Sequence, residues 1–89
     1  MPSLKEICEA AEEAVRSYIL SKVRLSDVTR LDIEVKLLDS ERLLFEISVD
    51  LEVNPLLDID AEKLAEEAID KGFEVIGKAA GGGRPHESK

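Results

Sequence analysis

The chain has 89 residues, with 20 acidic and 12 basic side chains and a net charge of −8. That length suits one domain with a modest core, and an acidic surface repels phosphate, which argues against direct nucleic-acid binding by this chain. A lone cysteine, Cys8, rules out an internal disulfide framework, and no stretch approaches the roughly 20 apolar residues of a membrane span.

Residues 4–23 read as a helix. Leu4, Ile7, Cys8, Ala11, Ala14, Val15, Tyr18, Ile19 and Val23 form an apolar stripe at helical spacing. Ser3 is placed to cap it, and Glu6 three residues later completes a capping box. Two alternating runs follow. Leu31, Ile33, Val35 and Leu37 alternate with Asp32, Glu34 and Lys36; Phe45, Ile47, Val49, Leu51 and Val53 alternate with Glu46, Ser48, Asp50 and Glu52. Side chains on a strand point to opposite faces with period two, so each run is apolar on one face and charged on the other. The polar stretch 39–42 between them predicts one antiparallel hairpin, with strands near 29–38 and 43–53. Asn54-Pro55 ends the second strand, because proline cannot donate to the ladder. Asp60 caps a second helix over 61–79, and Ile59 and Leu64 can staple its start. Gly81-Gly82-Gly83-Arg84-Pro85 cannot continue a helix, which predicts a mobile tail over 81–89.

The expected fold is therefore α+β: helix–strand–strand–helix in one domain over 1–80, with both helices on the apolar face of the hairpin. Two strands are too few to be stable alone, and their outer edges expose unpaired backbone groups. The sheet is therefore expected to be extended by dimerisation.

No set of residues assembles into a catalytic centre. Gly72-Phe73-Glu74-Val75-Ile76-Gly77-Lys78-Ala79 has the spacing of a phosphate loop, but Ala79 stands where a hydroxyl must hold magnesium, and the segment reads as helix interior. Asp58 and Asp60 read as loop solvation and a helix cap. His86, the single histidine, falls in the predicted tail, and Cys8 falls on an apolar stripe. No catalytic residue, metal or cofactor is assigned.

The candidate interaction surface is the outer face of the hairpin. It carries Asp32, Glu34, Glu46, Asp50 and Glu52 against Lys36, a pattern that reads as a solvated face, a seat for a basic partner or a cation site. Leu38 and Leu44 break the alternation and fall on this same face. In the register that pairs residue 37 with 45 they sit opposite each other, as a small contact patch or as a harmless exposed pair. The row Ala61, Ala65, Ala68, Gly72 predicts a close helix neighbour.

The absence of Gln and the abundance of Glu, Lys and Arg match the bias of hyperthermophile proteins. The first residues lack an export pattern and Cys8 fits a reducing compartment, so a cytoplasmic location is expected.

The order Leu4–Val23, Thr29–Val53, Ala61–Ala79 resembles the core of the small dimerising subunit of the KEOPS complex, which makes the threonylcarbamoyl modification on tRNA. The whole chain is also similar to an uncharacterised archaeal small α/β family, a distant paralogue of that subunit. The strand that usually precedes the first helix of that subunit has no counterpart in Met1-Pro2-Ser3. The resemblance implies a non-catalytic accessory subunit, with a protein partner that is either a second copy or the paralogous subunit. The competing expectation is a free-standing homodimer that binds a cation or small ligand through its acidic face. A small enzyme is a third reading, for which the residues supply no converging polar groups.

Overall fold

The computed structural model describes residues 3–79. The expectations for the glycine-rich tail and His86 lie outside them. The elements run α1 (Leu4–Lys22), a 3-10 turn (Leu25–Asp27), β1 (Val28–Asp39), β2 (Leu44–Val53) and α2 (Ala61–Ala79). The two strands form one antiparallel sheet, and the fold is α+β as the periodicities require.

Both helix starts are built as the sequence dictates. The Ser3 hydroxyl accepts from the Glu6 N–H at 3.1 Å, and the Glu6 carboxylate accepts from the Ser3 N–H at 2.9 Å. Two otherwise orphaned donors are thereby satisfied reciprocally. At α2 the Asp60 carboxylate accepts from the Lys63 N–H at 3.1 Å. Ile59 lies half-buried against the cluster that contains Leu64. Asn54 closes the loop between β2 and α2: its side chain accepts from the Leu56 N–H and its carbonyl from the Leu57 N–H. Its own N–H donates to the Asp27 carbonyl at 2.8 Å, which ties the two connections together at the base of the hairpin.

The ladder runs in one register from Arg30↔Glu52 to Leu37↔Phe45 and shifts at each end, at Thr29 and at Leu38. Each shift adds one residue to β1 and reverses its side-chain parity. Val28 thereby returns to the apolar face opposite Val53, and both pack against the core. At the other end Asp39, not Leu38, becomes the partner of Leu44. The Asp39 carboxylate then accepts from the N–H groups of Glu41 and Arg42 and folds the turn. The turn closes through Leu43, whose φ of 53° is unusual for a side chain that is branched and half-buried.

The core lies between the helix layer and the apolar face of the ribbon. α1 supplies Ile7, Ala11, Val15 and Ile19, followed by Val23; α2 supplies Leu64, Ala68 and Ile76; β2 supplies Phe45 and Ile47. Burying an Ile or Val of this kind contributes about 1.5–3 kcal/mol. α1 packs on β1, α2 packs on β2, and the helices pack on each other. Their contact is close where Gly72 faces Ala11 and Val15, so at Gly72 the small-residue row has α1 as its neighbour.

β1 contributes no fully buried residue. Leu31, Ile33, Val35 and Leu37 all remain half-buried, although each lies on the apolar face. The sheet has no third strand, so the β1 row is open to solvent along its outer edge. The helix layer has its own mismatch: packed helices stand about 8–10 Å apart, whereas neighbouring strands are about 4.8 Å apart. Two helices thus form a wider layer than two strands, and the ribbon leaves the flanks of that layer without a floor.

Candidate functional site

The outer face of the ribbon brings the predicted acidic residues together in cross-strand rows. Asp32 sits opposite Asp50, Glu34 opposite Ser48, Lys36 opposite Glu46, and Arg30 opposite Glu52. Asp32, Glu34, Ser48 and Asp50 line a shallow trough whose bed is the backbone of Ile33 and Val49.

Parity counted from Leu31 sets Arg30 on this same face as well, although the sequence count names Lys36 alone. Its guanidinium reaches the Asp50 carboxylate at 3.0 Å and the Asp32 carboxylate at 3.4 Å. The like-charged pair at the centre of the trough is therefore bridged from one side, and Lys36 approaches Glu34 at 3.8 Å. The face thus carries two cations, not Lys36 alone. Among the described residues no group of three or more His, Cys, Asp or Glu side chains is arranged to hold a metal ion. Glu46 and Glu52, nearer the ends of β2, make no ion pair among the described residues.

Leu38 and Leu44 are both exposed, at 56% and 51%. They are not direct partners, contrary to the expectation from the uniform register. The bulge gives Leu44 to Asp39 and leaves Leu38 as the extra residue. The cause is the turn: Asp39 must reach the backbone donors of Glu41 and Arg42, and an unbroken ladder would place it on the apolar face.

The remaining candidates fall into structural roles. Gly72 and Gly77 lie inside α2, so the phosphate-loop spacing has no loop to form. Asp60 is the α2 cap, Asp58 is exposed, and Cys8 is half-buried on α1.

By helical spacing Leu64, Ala65, Ala68, Ile69, Gly72, Phe73, Val75, Ile76 and Ala79 make up the apolar face of α2. Phe73 belongs to the apolar stripe of α2 by spacing, yet it is 43% exposed. The rotation of α2 explains it. Glu67 bonds to Tyr18 on α1, and the Lys71 ammonium stands 5.8 Å from the same ring, so that side of α2 faces α1. At 100° per residue, Ala65, Ile69 and Phe73 lie on the opposite flank. Since α2 stands over β2, this flank overhangs the open edge of β2. The outer flank of α1 is different in kind: it presents the Arg16–Glu12 ion pair at 3.0 Å.

No helix among the described residues is long and apolar enough to cross a membrane.

Comparison with known proteins places this arrangement. The uncharacterized protein PH0533 of Pyrococcus horikoshii is 33% identical over 73 residues, covering 82% of this chain and 63% of its own length. The chain therefore spans less than two thirds of that relative. The uncharacterized protein NP_0614A of Natronomonas pharaonis is 33% identical over 75 residues and is covered to 84%, as is this chain. The solution structure of the hypothetical protein mth677 from Methanothermobacter thermautotrophicus superposes with a TM-score of 0.77 at 26% identity, covering 92% of this chain and 89% of that one. A crystal structure from Thermococcus onnurineus NA1 gives a TM-score of 0.73 at 28% identity, with 90% and 82% covered. Residues 2–79 match the family described as "Protein of unknown function (DUF3194)", and the chain belongs to that family of small archaeal α+β proteins.

Proposed function

We propose that this chain is a non-catalytic interaction subunit whose ribbon is completed by a strand of another polypeptide. The observation that carries this reading is the mismatch between the two layers. A pair of helices covers a sheet of only two strands, both outer edges lack a strand partner among the described residues, and much of the apolar row stays half-buried on both strands, Leu31 to Leu37 on β1 and Val49, Leu51 and Val53 on β2. Added strands would pair the exposed backbone groups and extend the floor beneath the helices.

The free-standing cation binder is the weaker reading, because Arg30 already bridges Asp32 and Asp50. The helix–hairpin–helix order, on which the resemblance rests, supports an accessory place beside the small dimerising subunit of the KEOPS complex. Co-expression with that subunit, followed by size exclusion with light scattering, tests it. A one-to-one complex is the expected result. A chain that stays separate from the subunit at micromolar concentration removes the KEOPS assignment, and hydrogen exchange along both strand edges then tests the broader reading.

A further inference from the structure

We infer that the edge of β2, not that of β1, receives the partner strand, and that this strand belongs to a different protein and alternates apolar with basic side chains. The inference deepens the strand-edge reading above and rests on it. Two features of the two edges separate them.

The edge of β2 is regular. Its ten residues from Leu44 to Val53 carry no bulge, whereas both register shifts place their extra residue on β1. Bulges twist an edge away from further pairing. The roofs differ as well. Beside β2 the overhanging flank of α2 offers half-buried Ile69 and exposed Phe73, a surface suited to the inward side chains of an added strand. Beside β1 the flank of α1 offers the half-exposed Glu12–Arg16 ion pair, a charged surface that gives the inward apolar side chains of an added strand little to pack on.

The outward rows select the occupant. β2 presents Glu46, Ser48, Asp50 and Glu52, with no cation of its own. Two copies joined through β2 would set carboxylates against carboxylates in nearly every register, because like charges directly opposite destabilise a sheet. A strand with Lys or Arg at alternate positions meets this row instead, and charge complementarity of this kind steers encounter and fixes register. At the base of β2, a groove lined in part by Leu51, Val53, Leu57 and Ile59 prolongs the apolar track.

The probe is a synthetic peptide of about nine residues alternating Val with Lys, the length of an ordinary strand. It is added to the isotope-labelled full chain while amide shifts and hydrogen exchange are followed. Protection should appear along Leu44–Val53, with shifts at Phe73. Binding should weaken at least about tenfold in Phe73→Ser, and comparably between about 0.05 and 0.5 M salt. The doubly substituted Glu46→Lys, Glu52→Lys chain changes only exposed positions and should lose the peptide while gaining its Val–Glu counterpart. Protection along β1, or a homodimer joined through β1, overturns the assignment and leaves the strand-edge reading standing. Equal binding of the Val–Glu peptide to the unaltered chain overturns the basic partner. Absence of protection along both edges, with no self-association, removes the inference and the reading together.

Discussion

Tyr18 donates its phenol proton to the Glu67 carboxylate at 3.0 Å, a bond between side chains 49 positions apart that stitches α1 to α2. The ammonium groups of Lys22 and Lys71 lie 5.5 and 5.8 Å from the same ring. This cluster sets the rotation of α2, and through it the side of the helix that carries Ile69 and Phe73 out over β2.

The same bond sets a pH dependence. The hydrogen bond to Glu67, then burial, then the carboxylate's charge hold the Tyr18 phenol above its ordinary value of 10.0. A group whose pKa is raised by folding contributes stability that is fully present below the unfolded value and is lost as pH climbs through the folded one. The contribution of the Tyr18 phenol is therefore fully present at neutral pH and is lost in alkali, as pH climbs through its raised value. Tyr18 is the single tyrosine of the chain, so its phenolate absorbance reports it without overlap. The titration midpoint should lie above that of the unfolded chain, and Glu67→Gln should bring it down. Identical midpoints in both proteins would show that the bond does not form in solution.

Two glycines of α2 give opposite predictions. A Cβ on Gly72 would stand 2.7 Å from Ile47 Cδ1 and 2.9 Å from Val15 Cγ2, while a Cβ on Gly77 meets nothing within 4 Å. Alanine gains about 1 kcal/mol over glycine in a helix interior. Overpacking a core costs about 1–3 kcal/mol. Gly77→Ala should therefore raise stability by close to 1 kcal/mol, roughly 4–8 °C in Tm for a domain of this size. Gly72→Ala should lower it by about 1 kcal/mol net, since stiff Val15 cannot yield freely. Thermal unfolding of the two variants side by side decides it; equal shifts would mean that the helices do not approach as closely as Gly72 implies.

These residues also mark what the amino-acid order reveals. The capping box at Ser3, the α2 cap at Asp60 and the two alternating runs follow from local chemistry and periodicity, and the structure contains all of them. The bulges at Thr29 and Leu38 do not follow, because neither residue carries turn chemistry. They arise from the demand that Val28 reach the core and that Asp39 reach the turn donors. Arg30, by contrast, is legible: one step before Leu31 in the predicted strand, it is set on the outer face by period two, and only its bridging of Asp32 and Asp50 needs the structure. The exposure of Phe73 depends on the rotation of α2, which a contact between Tyr18 and Glu67 decides across the whole chain. Periodicity names the apolar stripe but not which of its flanks lacks a neighbour.

Arg30 supplies a test of the outer face. Its side chain is more than half exposed, so its two ion pairs together contribute less than about 1 kcal/mol. Removing it leaves Asp32 and Asp50 directly opposed. Arg30→Ala should therefore destabilise by less than about 1 kcal/mol, with a larger loss at low salt where repulsion is unscreened. Adding Asp32→Asn should restore most of the loss by deleting the repulsion itself. Denaturant unfolding at two ionic strengths reads both effects, and a salt-independent loss would place the role of Arg30 in packing instead of charge.

β2 itself separates folding from interaction. Ile47 is 7% exposed and its Cδ1 fills the space beneath Gly72, whereas Leu44 is 51% exposed at the hairpin tip. Truncating a buried isoleucine to alanine removes its transfer free energy and leaves a cavity, at a cost of about 2–5 kcal/mol. Exposed truncations stay within about 0.5 kcal/mol. Ile47→Ala should thus lower the unfolding midpoint sharply, while Leu44→Asp should leave it nearly unchanged. If the hairpin tip belongs to the pairing surface, Leu44→Asp will still weaken the complex with a partner strand although the chain is fully folded. A Leu44→Asp protein that unfolds like Ile47→Ala would instead make Leu44 part of the core, and the separation of the two faces of the ribbon would fail.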